Sequence, residues 1–104
     1  MTNNLNKPFQ PVYGGNNMRW IVTNQINKTK RTFENRALAL SYCKKKALEF
    51  EKAQKLLGYR RKVGFEAPIA KAETEDGAHT FETRVRVTVL RKDGTPDKWK
   101  IMID

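Results

Sequence analysis

The chain has 104 residues, 38% apolar and 31% charged, with a net charge of +10, which suits one domain with a modest core and leaves no room for two. Its single cysteine and single histidine exclude an intramolecular disulfide and a multi-cysteine zinc site. No run approaches the roughly 18 apolar residues that span a bilayer.

Residues 1–17 hold five Asn, two Pro and the Gly14–Gly15 pair, without apolar periodicity. Such a segment cannot offset the entropy of ordering, so it is expected to be a flexible tail ahead of a single domain over residues 18–104. Phe9, Val12 and Tyr13 are its aromatic and branched residues, suited to an arm that docks on the domain or on a partner. With Lys7 as its one charge and no apolar run, it lacks the pattern of a signal peptide, and a cytoplasmic location is expected.

Residues 18–26 alternate, with Trp20 and Val22 on one face and Ile21 and Thr23 on the other, as a strand requires. Residues 27–30 are a polar turn, and residues 31–33 suit a short returning strand. Asn35 is an N-cap residue, because its side chain accepts from a free amide of the first helical turn. Nothing from 36 to 57 breaks a helix, and Gly58 stands where a left-handed cap belongs. At 1.5 Å per residue this helix is roughly 33 Å long. Ala39, Cys43, Ala47, Phe50 and Leu57 share one azimuth, with Leu40, Tyr42 and Ala53 at its margins, and that stripe is the expected buried face.

A meander follows. Residues 62–74 form a strand in which Pro68 demands an edge position or a bulge. After a turn at 75–78, residues 79–92 alternate, with Phe81, Thr83, Val85, Val87 and Val89 opposite Glu82, Arg84, Arg86, Thr88 and Leu90. Residues 93–97 turn the chain again. The last strand, 98–103, places Trp99, Ile101 and Ile103 opposite Lys98, Lys100 and Met102. The order β-(β)-α-β-β-β predicts an α+β fold, one long helix on an antiparallel sheet of four to five strands.

The charge is concentrated. Residues 19–62 carry thirteen Lys and Arg against Glu34, Glu49 and Glu51, whereas residues 63–104 carry seven basic against eight acidic groups. Such asymmetry points to a basic surface for a polyanion. Opposite the apolar stripe, Lys44, Lys45, Lys52 and Lys55 fall in one sector around Leu48. Past the helix come Tyr59, Arg60, Arg61 and Lys62, where cations complement the helix dipole and arginine can grip phosphate while tyrosine stacks on a base. The turn with Lys28, Lys30 and Arg31 is the third contributor. Arg84, Arg86, Lys98 and Lys100 on the open sheet face read as an ordinary solvated ladder paired with Glu66, Glu73 or Glu82.

Catalysis has little support. Cys43 lies in the apolar stripe and reads as a small buried hydrophobe, far along the chain from His79. Glu73, Glu75 and Asp76 cluster at a turn, but no second ligand group accompanies them. No glycine-rich phosphate loop occurs. No catalytic residue, metal site or cofactor is therefore expected. The composition leads to a small basic protein that binds DNA or RNA mainly through phosphate contacts, with no membrane and no small-molecule substrate involved. The alternative is an interaction protein docking on an acidic surface of a protein or nucleoprotein enzyme. By analogy of size and charge alone, small phage-encoded inhibitors of host machinery act in that way.

Overall fold

The computed structural model describes residues 18–104, so the expected tail, with Phe9, Val12 and Tyr13, lies outside the described residues. The sequence alternation resolves into five strands, β1 (Trp20–Asn24), β2 (Lys30–Phe33), β3 (Glu66–Thr74), β4 (Thr80–Leu90) and β5 (Pro96–Ile103), and one helix, α1 (Arg36–Leu57). The strands form one antiparallel sheet in the order β2-β1-β3-β4-β5. The helix lies across one face. This is the α+β architecture that the periodicities imply.

Both helix ends close as their residues dictate. Asn35 is extended, and its side-chain oxygen accepts from the Leu38 amide at 3.0 Å, satisfying one of the orphan donors of the first turn. At the other end Gly58 takes φ 67°, and its amide donates to the carbonyls of Gln54 and Lys55. That left-handed conformation costs glycine nothing.

The core sits between the helix stripe and the strand residues that face it. Ala39, Cys43 and Ala47 are buried against a layer containing Trp20, Val22, Phe81 and Val85. Small helix residues let the backbone approach the sheet, and the larger volume comes from the strands. Trp20 packs on Phe81 with ring centroids 5.4 Å apart, and Phe50 meets Trp99 edge-on at 5.7 Å. Full burial of a valine such as Val85 contributes about 1.5–3 kcal/mol.

Several local details depart from the pattern. Pro68 lies in a central strand but beyond the last β1 pairing, at Ala70, and the register with β4 slips between Pro68 and Ala70, so its missing donor falls where β3 lacks a β1 partner and beside a bulge. The strand begins at Glu66 instead of residue 62, because the Phe65 amide donates to the Lys62 carbonyl and Gly64 takes φ 90°, closing a turn. Leu57 is 62% exposed and Ala53 is also exposed, whereas Gln54 is buried. The helix stripe therefore ends early, at Gln54, whose buried side chain accepts from Arg61 Nη2 at 2.9 Å.

Candidate functional site

The outward face of α1 carries Lys44, Lys45, Lys52 and Lys55, all exposed. Among the described residues none of the four has a carboxylate within ion-pair distance. Leu48 stands among them, 56% exposed, in a shallow depression bounded by Ser41, Lys44, Lys45, Lys52 and Glu49, the last paired with Lys46. The helix geometry that buries Cys43 and Ala47 fixes this arrangement, since residues three and four apart share a face. Lys55 is not ion-paired to Glu51, although its charge acts on that side chain: partial burial pushes the Glu51 carboxyl up and Lys55 pulls it down.

The segment beyond Gly58 divides its cations between two tasks. Arg61 turns inward. It donates from Nη2 to Gln54 Oε1 at 2.9 Å and from Nη1 to the Arg60 carbonyl at 2.9 Å. Its guanidinium also lies 5.2 Å from the Tyr59 ring and 4.8 Å from the Phe65 ring. Arg61 and Tyr59 thus clamp the loop, and one face of the tyrosine is already covered. Arg60 and Lys62 remain exposed. The aliphatic stem of Arg60 passes over Gly94, where an added Cβ would lie 3.4 Å away, and the Arg61 amide donates to the Gly94 carbonyl at 3.1 Å. These contacts bring the loop against the β4–β5 hairpin, and with it Lys92, exposed and without an ion pair. Sequence reasoning missed Lys92 because Asp93 and Asp97 cancel its charge in a segment average.

The turn between β1 and β2 goes elsewhere. Residues of that turn, Ile26 and Asn27, face Lys46, Glu49 and Ala53 across a groove of about 320 Å³. Arg31 lies over both Phe33 and Tyr42, at 5.5 and 5.1 Å from the ring centroids, and Lys46 covers Tyr42 at 5.3 Å. Arg31 therefore borders the flank of α1 opposite to Lys44 and Lys55, with Lys45 and Lys52 along the crest between, whereas Lys30 stands opposite Thr23 on the open sheet face and Lys28 donates to Gln25 Oε1 at 3.2 Å.

The open sheet face is partly neutralised. Arg84 donates to Glu66 at 3.0 Å and to Asp104 at 2.6 Å, and Arg86 lies 3.9 Å from Glu66. The acidic turn is likewise engaged. Glu75 pairs with Arg19 at 2.9 Å, and Asp76 accepts from the Thr74 hydroxyl at 2.6 Å and the Ala78 amide at 3.0 Å. These hydrogen bonds hold the Asp76 carboxyl below its ordinary range. Among the described residues no group of three His, Cys, Asp or Glu is placed to hold a metal ion. Burial pushes the Cys43 thiol up, partly offset by the neighbouring Thr83 hydroxyl. A protonated thiol is a poor nucleophile.

No family model matches this chain, and neither does any curated protein or solved structure. The arrangement itself is suited to binding. It offers flexible ammonium groups around one apolar side chain on a rigid helix, continued by Arg60, Lys62 and Lys92, and among the described residues no helix is long and apolar enough to cross a membrane.

Proposed function

We propose that the protein binds nucleic acid through phosphate contacts made by the outward face of α1 and the adjoining loop. The observation that carries this reading is the division of the charges. Five carboxylates, Glu49, Glu66, Glu75, Asp97 and Asp104, pair with Arg19, Lys46, Arg84, Arg86 and Arg91, while Lys44, Lys45, Lys52, Lys55, Arg60 and Lys62, which adjoin one another on α1 and its loop, have no such partner among the described residues. Left unpaired, these cations are free to displace counterions from a phosphate backbone, which makes binding salt-dependent and independent of base sequence.

The experiment is fluorescence anisotropy with labelled duplex and single-stranded oligonucleotides over a range of salt. On duplex, log K falls by about 0.9 per phosphate contact for each tenfold rise in salt. Replacing Lys44, Lys45 and Lys52 by Ala flattens that slope by up to roughly 2.7 while Lys71→Gln on the open face leaves it unchanged. Binding with no salt dependence, or no binding at low ionic strength, overturns the proposal.

A second reading rests on Leu48 and Leu56, which are 56% and 80% exposed on the same helix surface. Apolar side chains ringed by lysine fit an acidic protein surface with an apolar anchor point, the small-inhibitor mode of action. Loss of binding to a protein partner on Leu48→Ser, with nucleic-acid affinity retained, selects it.

A further inference from the structure

We propose that the outer edge of β5 is a homodimer interface, on which two copies of the chain pair antiparallel about a two-fold axis through Ile101. The inference stands apart from the nucleic-acid reading, because it uses none of the residues of that surface.

Strand β5 ends the sheet, and among the described residues nothing pairs with its outer side. Its inner side is fixed. The Asp104 amide donates to the Glu82 carbonyl at 3.0 Å, and Met102 and Lys100 stand opposite Arg84 and Arg86 in an unbroken register as far as Trp99. In an antiparallel ladder the backbone groups of alternate residues point to the same neighbour. The amides and carbonyls of 100, 102 and 104 therefore face β4, and those of Trp99, Ile101 and Ile103 face outward. Those three residues are also only half-buried, although their side chains lie on the helix-covered face. The edge thus exposes backbone donors, acceptors and apolar surface along the same stretch.

Self-pairing about Ile101 matches all of these features. Ile101 meets its own copy as a hydrogen-bonded pair, and Trp99 meets the second copy's Ile103, so the outward backbone groups are satisfied and the half-buried side chains are covered. On the open face Lys98 comes opposite the second copy's Asp104, a carboxylate already held in place by Arg84 at 2.6 Å. Opposite charges directly across a ladder are favourable, and like charges are not. Centring the pair on Trp99 or Lys100 sets lysine against lysine. Centring it on Met102 leaves half-buried Trp99 without a partner among the described residues. The axis at Ile101 covers Trp99, Ile101 and Ile103 together with no like-charge pair. It joins the two sheets into one and sets both helices on the same side.

Sedimentation equilibrium of the nuclease-treated full chain tests the association. The mass is expected to rise from 12.1 kDa to twice that as protein is raised from micromolar to millimolar. Lys98→Glu, which faces Asp104 of the other copy, weakens the dimer by roughly fivefold or more. Oxidised Ile101→Cys tests the register, because Cα atoms of a hydrogen-bonded pair lie about 5.5 Å apart, within disulfide reach. Met102→Cys is the control, since its two copies are set about 8 Å apart by strand rise and spacing. The native Cys43 is buried and gives no background. A monomer at every concentration overturns the proposal, and so does cross-linking through Met102→Cys in preference to Ile101→Cys.

Discussion

Arg61 shows how far a residue's role depends on what lies around it. It sits in the most basic stretch of the chain, yet its guanidinium is committed to Gln54, to the Arg60 carbonyl and to two aromatic rings. Removing it strands a buried amide, which costs about 1–3 kcal/mol. Arg61→Ala is therefore expected to lower the unfolding free energy by that amount, read as a lower urea midpoint, whereas Arg60→Ala, which loses only the stem packed over Gly94, lowers it less and weakens oligonucleotide binding. Chemical denaturation and anisotropy on the same two variants separate the roles. Cys43 gives a second test at this scale. Because it is fully buried and its thiol is held protonated by burial, labelling by a disulfide reagent at pH 8 should be slow in buffer and rapid in denaturant. A thiol that reacts at once in buffer contradicts its place in the core.

At the scale of elements, the helix was legible from its ends and its stripe, because capping and azimuth are local properties. Asn35 bounds it through its side chain and Gly58 through its left-handed backbone, and Ala39, Cys43 and Ala47 face the sheet. The capping predictions follow. Asn35→Ala is expected to cost about 1 kcal/mol through the lost acceptor. Gly58→Ala should cost about 1–2 kcal/mol, purely from its left-handed backbone, since an added Cβ meets nothing within 4 Å. Thermal unfolding followed by circular dichroism measures both. What was not legible depended on tertiary placement. The azimuth of Leu57 matches that of Phe50, but only the neighbouring loop, through Arg61, decides that Gln54 is the residue buried at the helix end. Pro68 announced an irregularity, though whether at an edge or a bulge depends on β1 pairing along β3. The candidate site divided in the same way. The lysine sector follows from helical periodicity alone, whereas the separation of Arg31 onto the far flank and of Lys30 onto the open sheet face follows from the strand pairing.

For the whole molecule, the balance between a cationic surface and a few engaged carboxylates governs the response to acid. Asp76 and Asp93 each cap a hairpin turn, and each is held below the ordinary carboxylate range, first by its threonine hydroxyl partner and then by a backbone amide. A carboxyl whose folded pKa is depressed stabilises the fold above its unfolded pKa of about 3.9, and that contribution disappears as pH falls through the lower folded value. Protonation also removes the partners of Arg19, Arg84 and Arg91 while the net charge climbs from +10, so repulsion grows as the restraints fail. The chain is therefore expected to hold its structure from neutral pH down to about pH 4 and to unfold below it. Added sulfate should move the transition to lower pH by screening the cations. Asp76→Asn and Asp93→Asn together lower stability at pH 7 and leave a shallower acid transition, because the groups that would have titrated are gone. Circular dichroism across an acid titration at low and high salt measures each effect. A transition indifferent to salt and to both substitutions places the acid sensitivity in other groups.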